Sequence, residues 1–169
     1  NRECKAVRKS LGILDGSTLG KIDLQGPDTS KFLNMLYTNA WSKLEIGSCR
    51  YGLMCNEHGM IFDDGVTSRL GENHYHMTTT TGGAARVMSW LEEFLQTEWL
   101  DMQVFCTSVT EQWAVLSISG PNARNFLSEL TDIDLSKESF PFMKFREGKV
   151  CGIDARVFRI SFKVLIALN

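Results

Sequence analysis

Lys21-Ile22-Asp23-Leu24-Gln25-Gly26-Pro27-Asp28 is the stretch on which the fold turns, an alternating run that stops at a Gly-Pro corner. Apolar residues at every second position with polar ones between them mark a strand with one buried face. From the corner, residues 28–37 place Phe32, Leu33 and Leu36 on one side of a helix. Proline suits that first turn, because its missing N–H would have had no intrahelical partner there. The same unit returns downstream. Ala114-Val115-Leu116-Ser117-Ile118-Ser119 reads as a strand, Gly120-Pro121-Asn122 as the corner, and Phe126, Leu127 and Leu130 repeat the apolar spacing. Two copies of Gly-Pro-(Asp/Asn)-x-x-x-Phe-Leu-x-x-Leu predict an internal duplication, and two copies make a pseudo-symmetric fold and not a solenoid.

Residues 11–14 form a short apolar strand before the loop Asp15-Gly16-Ser17-Thr18. Between the copies lies a meander: residues 49–55, a turn at Asn56-Glu57-His58-Gly59, residues 60–70, a turn at Gly71-Glu72-Asn73, and residues 74–80. Gly82-Gly83 ends the last of these strands. Residues 84–99 then carry Val87, Met88, Leu91, Leu95 and Trp99 at helical intervals, with Glu92, Glu93 and Glu98 elsewhere, as an amphipathic helix on a sheet requires. A strand through Val104 and Cys106 precedes the second copy, and residues 150–160 read as a hairpin turned at Gly152-Ile153-Asp154. The fold class expected is α+β, with mostly antiparallel sheets and packed helices.

A chain of 169 residues with 43% hydrophobic residues can bury one good core, and its formal charge of −2 disfavours a dedicated binder of nucleic acid. The five cysteines, Cys4, Cys49, Cys55, Cys106 and Cys151, form no C-x-x-C unit, which points to reduced thiols and a cytoplasmic setting. No apolar run approaches the ~20 residues of a membrane span, so no membrane partner is expected. The chain begins at Asn1 in a basic, polar stretch, as a piece of a longer polypeptide would.

His58-Gly59-Met60-Ile61-Phe62-Asp63-Asp64-Gly65-Val66 sets two acids into a half-buried strand. A carboxylate there must be paired, hydrated or aimed at a ligand. Three readings follow from the residues: one acid facing water and the other capped at the sheet's end, a metal site, or a single functional acid, Asp63 or Asp64, looking into a pocket. Adjacent acids on a strand point to opposite faces and no His or Cys stands at a ligand spacing nearby, which weighs against the metal. His74 and His76 share a strand face but lack a third ligand, and solvated histidines are the default for them. Ser17 has no histidine in a partner context and is not read as a nucleophile. No dinucleotide fingerprint is present.

In order and spacing, Asp15-Gly16-Ser17-Thr18-Leu19-Gly20-Lys21, Gly26-Pro27-Asp28, Tyr37-Thr38-Asn39, Arg50-Tyr51-Gly52-Leu53 and the run from Gly59 to Asp64 resemble the folate-binding domain of the aminomethyltransferases, the T-proteins of glycine cleavage. Within that family, Tyr37-Thr38-Asn39-Ala40-Trp41-Ser42-Lys43-Leu44, Thr81-Gly82-Gly83-Ala84-Ala85 and Ser108-Val109-Thr110-Glu111-Gln112-Trp113 look most like the C-terminal domain of the heterotetrameric sarcosine oxidase alpha subunit. The resemblance covers nearly the whole chain, to about Phe162.

The resemblance implies a tetrahydrofolate site in a one-carbon transfer domain. There the one-carbon unit released by sarcosine oxidation would become 5,10-methylenetetrahydrofolate. Asp64 matches the family's catalytic aspartate, placed to steer protons near the folate amines and to stabilise a transient iminium cation. Tyr51, Thr80 and Leu19 are the folate-contacting positions carried over with it. Thr80 stands where T-proteins usually have asparagine, so a hydroxyl replaces a carboxamide at the pterin edge; read from the residue alone, it caps the Gly82-Gly83 turn. Reduced folate and the other sarcosine oxidase domains and subunits are the implied partners, with flavin and NAD belonging to other parts of that complex. Arg159-Ile160-Ser161-Phe162 is followed by Lys163-Val164-Leu165-Ile166-Ala167-Leu168-Asn169, where the family continues with a Gly-Glu turn whose glutamate holds the pterin. This divides the chain into a domain over 1–162, incomplete at its C-terminus, and a non-family tail over 163–169, with folate binding weakened roughly a hundredfold by the missing anchor. A non-enzymatic folate-binding relative and an inactive fragment are the alternatives.

Overall fold

Both Gly-Pro corners adopt the same backbone geometry. Gly26 has φ 136° and Gly120 φ 120°, in the region that glycine alone enters without strain. A side chain would also not fit at either. A Cβ would lie 2.1 Å from the Gln103 carbonyl oxygen at Gly26 and 2.4 Å from that of Ser10 at Gly120. Each corner closes with one turn bond, from Thr29 N–H to the Gly26 carbonyl at 3.2 Å and from Ala123 N–H to the Gly120 carbonyl at 3.1 Å. The internal duplication is therefore a repeated turn as well as a repeated pattern.

The computed structural model describes residues 2–160 and 163–168. It divides into two compact units, one of residues Leu19–Glu111 and the other of the chain up to Thr18 together with the chain from Gln112 onward. The duplicated corner opens a helix in each.

In the Leu19–Glu111 unit, β2 (Gly20–Gln25) leads into α2 (Thr29–Leu36), and β3 (Cys49–Cys55), β4 (Ile61–Gly71) and β5 (His74–Thr79) form the meander. With β6 (Phe105–Ser108) they make an antiparallel sheet in the order β3-β4-β5-β2-β6. Its core joins Ile22, Leu24, Tyr75 and Met77 of the sheet to Phe32, Leu33 and Leu36 of α2 and to Val87 and Leu91 of α3 (Ala84–Glu93). The amphipathic segment expected over 84–99 is α-helical only to Glu93. Phe94–Glu98 widens to a π turn, closed by Trp99 N–H on the Phe94 carbonyl, so that the Phe94 and Trp99 rings stack 4.5 Å apart.

In the other unit, α1 (Arg2–Lys9) and β1 (Gly12–Asp15) precede β7 (Ala114–Ser119), α4 (Ala123–Ser128), β8 (Phe145–Val150), β9 (Ile153–Ile160) and β10 (Lys163–Leu168). The sheet order is β1-β7-β10-β9-β8, antiparallel throughout. Ile118, Leu127, Val157 and Ile166 lie in its core. The expected hairpin over 150–160 starts earlier. Its turn is Cys151-Gly152, with φ 51° and 81°, the pair of positive values that a tight two-residue hairpin demands. The stretch set apart as a tail contains β10, the central strand of this sheet, hydrogen-bonded to β7 on one side and β9 on the other. Ser161 and Phe162, at the end of the family-like stretch, lie outside the described residues.

Candidate functional site

The register of β3 and β4 sets Tyr51 opposite Val66 and Leu53 opposite Asp64. Tyr51 and Asp64 are thus diagonal neighbours on one face of the sheet, within reach of a long side chain. The Tyr51 hydroxyl donates to Asp64 Oδ2 at 2.5 Å, a short, charge-assisted bond. Tyr51 is 50% exposed and Asp64 is half-buried, so the pair is open to a ligand. The hydrogen bond to Asp64, then burial, then the Asp64 charge hold the Tyr51 phenol above its ordinary range.

Strand alternation sends Asp63 to the other face, as expected for adjacent acids, and there it is 5% exposed. Its Oδ1 accepts the Thr80 N–H at 3.4 Å, while Oδ2 is buried with no hydrogen-bond donor among the described residues. Tyr37 packs on the same face. Gly52 and Gly65 pair across β3 and β4, and a Cβ at Gly52 would sit 2.8 Å from the Tyr37 ring, so glycine makes room for it. Burial first, then the Asp63 and Asp64 charges, push the Tyr37 phenol far up against the opposing pull of the Thr67 hydroxyl. It remains neutral beside two acids.

Thr80 is exposed, and its hydroxyl accepts the Gly83 N–H at 3.1 Å, the turn-capping role open to it from the residue type alone. Leu19 is half-buried next to Gly20, whose partner is Thr79, and β2 stands two places from β4 in the sheet. Of the four residues singled out by sequence, Tyr51 and Asp64 meet directly, Thr80 is tied to Asp63, and Leu19 marks the start of β2.

His76 is buried and His74 half-buried, and both meet an acid. His76 Nδ1 lies 2.6 Å from Asp23 Oδ1, and His74 Nε2 lies 3.0 Å from Asp23 Oδ2. The register places Asp23 directly opposite His76, which sequence periodicity had no means of revealing. Among the described residues, no group of three or more His, Cys, Asp or Glu could hold a metal ion. Tyr37 and Asp23 are the residues that sequence reasoning left without a role, and Asp63 entered it only as the alternative to Asp64; the Tyr-Thr-Asn block was the signal for Tyr37.

In the other unit, a cavity of about 440 Å³ is lined in part by Trp113, Glu147, Lys149, Asp154 and Arg156. Four of its charged groups pair within it. Arg156 Nε meets Glu147 Oε1 at 2.8 Å, Lys149 Nζ meets Asp154 Oδ1 at 2.7 Å, and the guanidinium lies over the Trp113 ring.

A family model described as the GCVT N-terminal domain matches residues 1–164. The sarcosine oxidase subunit alpha of Corynebacterium sp. (strain U-96) is 55% identical over 170 residues, which span 99% of this chain and 18% of that protein. The aminomethyltransferase of Listeria monocytogenes serotype 4a (strain HCC23) is 33% identical over 160 residues, 95% of this chain and 42% of that one. The chain therefore spans less than half the length of either relative. Among solved structures, the glycine cleavage system aminomethyltransferase T from Bartonella henselae superposes with a TM-score of 0.84 at 24% identity, over 99% of this chain and 44% of that one, which shows the fold. Two antiparallel sheets, repeated Gly-Pro corners and the match over residues 1–164 agree: the chain belongs to the GCVT domain family of sarcosine oxidase alpha subunits and aminomethyltransferases.

Proposed function

We propose that this chain is a tetrahydrofolate-binding, one-carbon transfer domain of the sarcosine oxidase alpha type, working with the other domains and subunits of such an enzyme. The observation that carries the reading is the Tyr51 hydroxyl held 2.5 Å from Asp64 Oδ2 on an open sheet face. A half-buried carboxylate steadied by a phenol suits a ligand whose amines shed protons and gather positive charge as a carbon is attached. When bound, tetrahydrofolate supplies the two amine nitrogens that take up the one-carbon unit, giving 5,10-methylenetetrahydrofolate. Asp64, while ionised, balances the developing cation, and it then accepts the proton that the second amine releases as it adds to the carbon. Tyr51 fixes the carboxylate's rotamer, and Thr80 and Leu19 border the pterin.

The test is a calorimetric titration of the chain with tetrahydrofolate, beside the Asp64→Ala variant. Saturable binding that weakens at least about tenfold on substitution supports the reading, since removing a charged hydrogen-bond partner costs at least that factor. Equal binding by both proteins removes Asp64 from the site.

A further inference from the structure

We propose that Asp63 is the positioning residue of the Asp64 site: from the opposite face of β4 its carboxylate holds the Thr80–Gly83 turn and the start of α3 against the strand, and so sets Thr80 for a folate ring. This deepens the functional reading above and rests on it. Three contacts clamp the segment. Asp63 Oδ1 takes the Thr80 N–H at 3.4 Å. The Thr80 hydroxyl in turn takes the Gly83 N–H at 3.1 Å. One residue earlier in β4, Arg86 of α3 donates to the Phe62 carbonyl at 2.5 Å, its guanidinium 4.3 Å from the Phe62 ring.

Asp63 Oδ2 explains why the turn ends in glycine. A Cβ at Gly83 would lie 2.4 Å from that oxygen and 2.6 Å from Thr80 Oγ1. The carboxylate occupies the space that a side chain would need. Gly83 is also the residue that caps α3, a helix of ten residues with no acid in its first turn and no side-chain cap of its own. The free N–H groups there carry partial positive charge, and a negative group from a neighbouring strand complements them through its charge, without the hydrogen bond of a cap residue. Burying an acid at 5% exposure, with one oxygen lacking a donor among the described residues, is unfavourable in isolation; the Thr80 N–H and the positive end of α3 oppose that cost. The two adjacent acids thus divide the work across the two faces of one strand.

The experiment is a double-mutant cycle on tetrahydrofolate affinity, using Asp63→Ala, Thr80→Ala and the pair, with Asp63→Asn as the conservative rescue. The expected result is about a tenfold loss for Asp63→Ala that largely disappears in the Thr80→Ala background, since Asp63 reaches the ligand only through the Thr80 hydroxyl that it positions. Asn keeps an acceptor for the Thr80 N–H and should restore affinity to within about threefold. Hydrogen exchange at the Thr80 and Gly83 amides of the ligand-free protein should rise in Asp63→Ala and not in Asp63→Asn. If Asp63→Ala does not fold, Asp63→Ser, too short to reach Thr80, takes its place. Losses that simply multiply in the pair, or unchanged affinity and unchanged exchange in the folded Asp63 variant, overturn the proposal. Binding abolished by Asp64→Ala yet indifferent to Asp63 sinks this inference alone, whereas no binding by the unsubstituted chain sinks it together with the proposed function.

Discussion

Tyr51 donates its hydroxyl to Asp64 Oδ2 across a diagonal between β3 and β4, joining residues thirteen apart in sequence at 2.5 Å. Removing that hydroxyl should separate function from stability. Tyr51 is half-exposed, so Tyr51→Phe is expected to shift unfolding free energy by no more than about 0.5 kcal/mol. Tetrahydrofolate affinity should fall about five- to tenfold, the loss of one hydrogen bond to a charged partner. Thermal melts and calorimetry on the same samples read the two effects, and an unaltered affinity would remove Tyr51 from the site.

Gly65 lies against the backbone at Thr78 of β5. A Cβ there would lie 1.8 Å from the Thr78 carbonyl oxygen and 2.8 Å from its carbon, both backbone atoms that cannot step aside. Gly65→Ala should destabilise the protein by about 2–4 kcal/mol through forced separation of the strands. Gly82, with nothing within 4 Å of such a Cβ, is the control, and Gly82→Ala should stay within about 0.5 kcal/mol. Urea midpoints of the two variants should diverge accordingly.

Asp23 makes acid stability depend on a partly buried cluster. Burial by itself would raise its pKa, but the hydrogen bonds and charges of His76 and His74 outweigh that and hold it below the ordinary 3.8. With the folded value below the unfolded one, the unfolded chain takes the proton first as pH falls. The contribution of Asp23 is therefore complete above the unfolded pKa and lost as pH drops through the folded one. Urea melts between roughly pH 2.5 and 6 should show a steep acid limb that flattens in Asp23→Asn. A limb of equal slope in both proteins would contradict the linkage.

Cysteine chemistry should follow burial. Cys106 is pushed up to about 12, by burial first and by the Glu92 charge second, whereas Cys4 and Cys151 are exposed. At about pH 8, iodoacetamide should modify Cys4 and Cys151 at least about tenfold faster than Cys106, because the thiolate is the reacting form. Mass spectrometry of timed digests gives the order, and early labelling of Cys106 would mean that this part of the unit opens readily.

Local patterns carried much of the architecture. The Gly-Pro corners were legible because a positive-φ glycine, a proline and an apolar triplet at helical spacing are each local requirements of one turn. The meander was legible because Asn-Glu-His-Gly and Gly-Glu-Asn interrupt alternating runs. The hairpin at Cys151-Gly152 was misplaced by a residue or two because Cys151 takes φ 51°, a conformation its residue type does not announce. The end of the long helix was missed because the π turn at Phe94–Glu98 answers to the stacking of Phe94 on Trp99, a matter of packing and not of periodicity. The place of β10 was hidden for a related reason. An apolar run of six residues says that it is buried, and nothing local says that its neighbours are β7 and β9.

By itself the sequence determined the α+β class, the duplicated corners, the family resemblance and the opposite facing of Asp63 and Asp64, since each follows from residue type and from a period of two or 3.6 along the chain. Tertiary structure alone decided that Tyr51 reaches Asp64, that Asp63 meets the Thr80 N–H, and that Asp23 pairs with both histidines. Those pairings depend on which strands lie side by side and in what register, and register is settled by the cooperative burial of whole sheet faces, a quantity that no single segment contains.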